Sequence, residues 1–220
     1  MDIYNTIVRF FQDGGIFMYP IVVVLAFGLA IAIERYIYLS LFRIRNQSAW
    51  NRVMPLLQAG RLSEVQGIVQ ESRSAISAIL RSGLSRAATA RDREAIELAM
   101  EESMLEVVPR LEKRTHYLAT LANIATLLGL LGTIIGLIQA FTSISAASAA
   151  EKADLLSASI SIAMNTTAFG LIVGIPLLLL HAMLQSKTNQ VIGSLEMAAV
   201  KMLNKLDPGA AAAEPHEAAA

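Results

Sequence analysis

Two long stretches, 117–142 and 159–185, contain no Asp, Glu, Lys, Arg or Cys. A third, 16–33, is equally apolar and ends in Glu34-Arg35. A hydrocarbon core about 30 Å thick takes roughly 20 apolar residues in helical form. The spacing predicts an all-α integral membrane protein with three transmembrane helices, at 16–42, 117–142 and 159–185, whose long helices extend into a cytoplasmic helical domain. Within that frame the informative residues are the hydroxyls, amides and glycines hidden among the leucines.

The chain of 220 residues is 55% hydrophobic yet 16% charged, so its charges crowd into the segments between the spans. With no net charge it offers no basic stripe for nucleic acid. The absence of cysteine removes disulfides, thiol chemistry and cysteine-ligated metals, and leaves the redox compartment open. The leading stretch 1–15 carries Asp2, Arg9 and Asp13 rather than a basic cluster, so the first apolar run is expected to be a retained anchor and not a signal peptide. Arg43, Arg45 and Arg52 follow span one, Arg110, Lys113 and Arg114 precede span two, and Lys187 follows span three. The positive-inside rule then makes 43–116 and the C-terminal part cytoplasmic, with 1–15 and the loop 143–158 periplasmic.

The cytoplasmic insertion has helical periodicity: Val53, Leu56 and Leu57; Leu62, Val65, Ile68 and Val69; Ile76, Ile79 and Leu80. Gly60, Gly67 and Gly83 are expected to punctuate these as short helices. From Asp92 a new stripe (Ile96, Met100, Met104, Val107, Val108, Leu111) leads toward span two, with Glu94, Glu97, Glu101 and Glu102 on its wet side. Apart from a kink at Pro109, it is expected to form one helix of about 50 residues, about 75 Å long. After span three, 186–207 keeps an amphipathic pattern in Val191, Leu195, Ala198 and Met202, and 208–220 reads as a disordered tail. His116 and His181 fall at the cytoplasmic ends of spans two and three, where polar tips favour the headgroup region, and His216 lies in the tail.

In span two, Asn123, Thr126 and Thr133 share a face, with Gly129, Gly132 and Gly136 beside it. In span three, Asn165, Thr166 and Thr167 are consecutive, and Gly170 and Gly174 repeat at four-residue spacing. Small residues let membrane helices approach closely, so the five glycines are expected to serve packing. The sharper reading gives Thr133, Thr167, Thr166, Asn165 and Thr126 to an ion path. Hydroxyl and amide oxygens coordinate a cation or order water, but they cannot take up a proton near neutral pH. A proton route needs a titratable group, and these spans hold no carboxylate, so the carboxylate must come from another chain.

Leu127-Leu128-Gly129-Leu130-Leu131-Gly132-Thr133-Ile134-Ile135-Gly136 resembles the second-span signature of the MotA/TolQ/ExbB channel subunits. Asn165-Thr166-Thr167-Ala168-Phe169-Gly170-Leu171-Ile172-Val173-Gly174-Ile175-Pro176 is similar to their third-span signature, and Glu34-Arg35 fits the exit of the first. The likeness covers about residues 10–200 in topology and is closest to an ExbB-like subunit. It implies a homopentamer around a dimer of an ExbD/TolR/MotB-like single-span partner whose membrane Asp carries the ion. It also implies an inner-membrane site, surrounding lipid, and a TonB-like or other envelope component as the machine driven. By position Thr133 and Thr167 match the family's pore-lining threonines. Ile162 stands where TolQ and ExbB carry a Glu, and Thr166-Thr167 matches a pair found in sodium-using flagellar relatives. The transported ion is therefore expected to be H+, with Na+ the alternative, and no other cofactor or metal is expected.

Three other classes compete, of which a secondary transporter would need more spans or a clear inverted repeat, and the sequence shows neither. A membrane scaffold without an ion path would carry the same glycines. An enzyme would need an acid–base or nucleophile set, and Ser157, Ser159 and Ser161 have no His or carboxylate partner on their own segment. A non-enzymatic channel subunit is the expectation.

Overall fold

A computed structural model describes residues 10–11, 14–89, 92–146 and 151–206. Among them there is no strand, and six helices follow one another: α1 Met18–Gln58, α2 Leu62–Glu71, α3 Ala75–Thr89, α4 Arg93–Glu112, α5 Thr115–Ala146 and α6 Lys152–Leu206. Apolar windows in α1, in the Arg93–Ile144 stretch and in α6 are long enough to cross a bilayer. The protein is an all-α integral membrane protein. The expected tail 208–220 and most of the expected N-terminal segment lie outside the described residues.

Three boundaries differ from expectation. The 50-residue helix is two: α4 closes with the Lys113 amide donating to the Pro109 carbonyl at 3.1 Å, and Arg114 then turns left-handed at φ 66° before α5 begins. A left-handed residue breaks the i→i−4 ladder, and here the Arg114 guanidinium is anchored through one nitrogen, Nη1, 2.9 Å from both carboxylate oxygens of Glu34. Gly67 and Gly83 do not end helices but lie inside α2 and α3. Only Gly60, at φ 71° between α1 and α2, serves as a stop. Finally, α5 and α6 run past both ends of the expected loop 143–158, to Ala146 and from Lys152.

The chain divides into two compact units, the first Met1–Arg35 with Arg114–Leu184, the second Tyr36–Lys113 with Gln185–Ala220. The second unit is built as a soluble domain is built. Val53, Leu57, Val65, Val69, Ile76, Ile79, Leu80, Ile96, Met100, Val191, Leu195 and Met202 are each at most 3% exposed. Burial of such side chains is worth about 2 kcal/mol each. Asn46 fixes the start of α3 to α1: its amide donates to the Phe42 carbonyl at 2.8 Å while its carbonyl accepts from the Ile76 amide at 2.7 Å. Ser74 caps the same helix by accepting from the Ser77 amide at 3.2 Å. On α4 the Asp92 carboxylate accepts from the Glu94 amide at 3.3 Å. Gly83 lets α3 and α4 close up, since a Cβ there would lie 2.6 Å from the Met100 sulfur.

Candidate functional site: the polar seam of α5 and α6

Within the first unit, α5 presents small residues along one edge: Ala122, Ala125, Gly129, Gly132, Gly136 and Ala140 are all buried. Their spacing of three and four keeps them on one helix face. A Cβ on Gly129 would sit 3.2 Å from the Gly170 and Thr167 Cα atoms, and one on Gly170 would sit 2.7 Å from the Ala125 carbonyl oxygen. Gly136 meets Ala163 and Gly174 meets Thr126 in the same way. The two backbones therefore touch, and the contact admits no side chain larger than hydrogen at Gly129 or Gly170. The pairs Thr126–Gly174, Gly129–Gly170, Gly132–Thr166 and Gly136–Ala163 run in opposite directions along the two helices. That antiparallel register puts Thr133 level with Thr167.

Polar side chains divide into three kinds along this seam. Thr166, 1% exposed, donates to the Gly14 carbonyl at 2.6 Å and bonds back to the Ile162 carbonyl at 2.9 Å, so it ties α6 to the residues preceding α1. Thr167 donates to the Gly129 carbonyl at 2.9 Å, a bond from α6 to α5 at the glycine crossing. Thr133 and Thr126 bond only their own helix, to the Leu130 carbonyl at 2.6 Å and the Ala122 carbonyl at 3.1 Å. A hydroxyl that donates in this way keeps its lone pairs for a cation or a water. Thr133 and Thr167 are half-buried, Thr126 exposed.

Consecutive helical residues project about 100° apart, so Asn165, Thr166 and Thr167 cannot front one surface together. With Thr166 turned inward and Thr167 toward α5, Asn165 lies about 200° around the helix from Thr167. It is half-buried and makes no side-chain hydrogen bond among the described residues. The structure brings Thr166 to Gly132, Thr167 to Gly129 and Thr126 to Gly174, and sets Asn165 apart from them.

Sequence reasoning missed two partners. The Gly14 carbonyl receives Thr166, and the Phe169 ring packs edge-on against Phe11 at 5.2 Å and Phe10 at 6.3 Å between centroids. The alanine spacing 122, 125, 140 with 163 was a readable sign of the seam's length. The Gly14 contact, 152 positions away from Thr166, left no periodic sign. Among the described residues no group of His, Asp and Glu is arranged to hold a metal ion.

Bilayer-length helices, two of them joined by a seam of glycines and hydroxyls, define a polytopic α-helical membrane protein. The chain belongs to the MotA/TolQ/ExbB proton channel family, whose family model matches residues 71–197, more than half of its length. This is a family of channels and not of enzymes. No curated protein gives a significant match.

Proposed function

We propose that this chain is the ion-path subunit of an ExbB/TolQ-like stator in a bacterial inner membrane, with its N-terminus periplasmic and its C-terminus cytoplasmic. Five copies surround a dimer of an ExbD/TolR-like single-span partner, and the complex turns the proton motive force into mechanical work on a TonB-like or other envelope component. The observation that carries this reading is the presence of available hydroxyls at Thr133 and Thr167 in second and third spans, 117–142 and 159–185, that hold no carboxylate. Such a seam solvates an ion in transit but cannot carry a proton by itself, so it calls for a second chain bearing the titratable group.

In this mechanism an ion from outside neutralises the partner's Asp beside Thr133 and Thr167. Neutralisation lowers the cost of moving that side chain past the apolar faces of α5 and α6. Release to the cytoplasm restores the charge, and the hydroxyl oxygens then stabilise the carboxylate's counter-ion or its ordered water. Thr126, about 10 Å along α5 from Thr133, extends the polar edge in one direction. Asn165 enters the path only if the partner helix contacts the other edge of α6. The glycines hold the seam closed so that its hydroxyls keep their spacing.

Native mass spectrometry of the tagged chain, purified with its co-expressed genomic neighbours, tests the assembly. The expected result is five copies with two copies of a single-span protein bearing a membrane Asp. A stable homo-oligomer without such a protein contradicts the proposal and favours a scaffold. Flux that persists when sodium is replaced, and stops when the proton gradient is collapsed, assigns the ion as H+; the reverse result assigns Na+.

A further inference from the structure

Gly193 lies in the interior of α6, where glycine costs about 1 kcal/mol relative to alanine. Among the described residues of its own copy nothing explains it: a Cβ there would meet no atom within 4 Å. The next residues on that face, Met197 and Val200, are each 54% exposed, although α6 here belongs to the second, charge-bearing unit. Glycine, methionine and valine at spacings of four and three form a stripe with a shallow notch at one end. On α4 of the same unit, Leu98 and Leu105 are 64% and 67% exposed and seven residues apart, which puts them on one face. Glu94, Glu101 and Glu102 flank them, all exposed. Large apolar side chains left open beside carboxylates mark a docking surface.

We infer that the Leu98/Leu105 stripe of α4 docks on the Gly193/Met197/Val200 stripe of α6 in the adjacent copy of this chain. The inference rests on the homo-oligomer proposed above and adds which surfaces meet. Register is the first argument. Within one copy Arg93 donates to Asn204 at 3.1 Å, and Glu97, Met100 and Met104 line one groove with Glu196, Ala199, Val200 and Leu203. The two helices are thus antiparallel, with Leu98 level with Val200 and Leu105 level with Gly193. Copies in a ring whose axis runs along these two helices keep those levels. Leu105 then meets the notch at Gly193 in the next copy, and Leu98 meets Val200. Charge is the second argument. Lys201 and Lys205, both exposed, fall at the level of Asp92, Glu94 and Glu97 across such a contact. Different faces meeting in this way make a heterologous interface, the kind that closes a ring.

The natural absence of cysteine provides a clean background for the test. Two differently tagged populations, one carrying Leu105→Cys and the other Gly193→Cys, are co-expressed and oxidised in membranes. The expected result is a mixed-tag disulfide dimer, with a second for Leu98→Cys against Val200→Cys. Leu105→Cys against Val200→Cys, offset by about 10 Å, should give little. One cysteine per copy excludes bridges within a copy. Gly193→Leu is the second variant: a Cβ at 193 has no described neighbour of its own copy within 4 Å, so the subunit should remain folded with unchanged or raised thermal stability while the ring is lost in native mass spectra. If the ring persists in native spectra without the 105/193 dimer, or if Leu105→Cys pairs mainly with itself, the assignment of these surfaces is overturned and the oligomeric reading stands. A monomeric wild-type chain overturns both. A disulfide from the Gly193→Cys variant to a different protein, in place of the Leu105→Cys copy, also overturns the assignment.

Discussion

The two units of this molecule bury opposite kinds of residue. In the second unit the core is leucine, isoleucine, valine and methionine, and the helices turn Glu, Arg and Lys outward. In the first unit the seam is glycine, alanine and threonine, while Leu127, Ile138, Phe141, Ile172 and Leu179 are each about 60% exposed or more. Only 28% of each apolar window is buried within the chain. Water drives large apolar side chains inward, whereas lipid is as apolar as leucine and leaves close backbone approach and interhelical hydrogen bonds as the forces that bring helices together. Hydrophobicity therefore identifies the inside of one unit and the outside of the other.

The sharpest way to break that contrast is to enlarge a residue at the seam. Gly170→Leu places carbon where the Ala125 carbonyl and the Gly129 Cα already lie, 2.7 and 3.0 Å from the added Cβ. The expected loss is about 4 kcal/mol or more, at the top of the single-substitution range, with little folded protein recovered in detergent. In the second unit the opposite change does the damage. Leu80→Ala, at a fully buried site, should cost about 3 kcal/mol in denaturant unfolding by emptying space that α3 fills. Asn46→Ala removes the acceptor for the Ile76 amide and should cost about 2 kcal/mol, read in the same assay. Arg114→Gly is expected to change stability by no more than about 1 kcal/mol. Its ion pair with Glu34 is about half exposed, and glycine relieves the left-handed backbone that the substitution leaves in place.

How much of this the sequence disclosed follows the same division. Val53, Leu57, Val65, Val69, Ile76, Ile79, Leu80 and the stripe Val191, Leu195, Ala198, Met202 are legible from periodicity alone, because in water a 3.6-residue apolar pattern marks the core. In the spans that pattern is saturated by leucine, and only the small residues and hydroxyls carry information. They identify the seam, but not which threonine faces which neighbour. The division of Asn165, Thr166 and Thr167 among different directions follows from helix geometry, whereas the Thr166 bond to Gly14 needed the tertiary fold. The break at Lys113-Arg114 was hidden for another reason: neither residue is a helix breaker by type, and the conformation is tied to an ion pair 80 positions away. Pro109, the visible irregularity, stays inside α4 and accepts the closing hydrogen bond.

In the proposed function this chain solvates an ion that it cannot itself carry. Proton flux into liposomes at a fixed pH gradient tests it, comparing the chain alone, the chain with the proposed single-span partner, and that complex with Thr133→Val. The expected result is tight liposomes for the chain alone, rapid flux for the complex, and flux reduced at least about tenfold by Thr133→Val, the effect of about 1.4 kcal/mol on the barrier, with an unchanged native mass. Conduction by the chain alone, or full flux through the Thr133→Val complex, would contradict it.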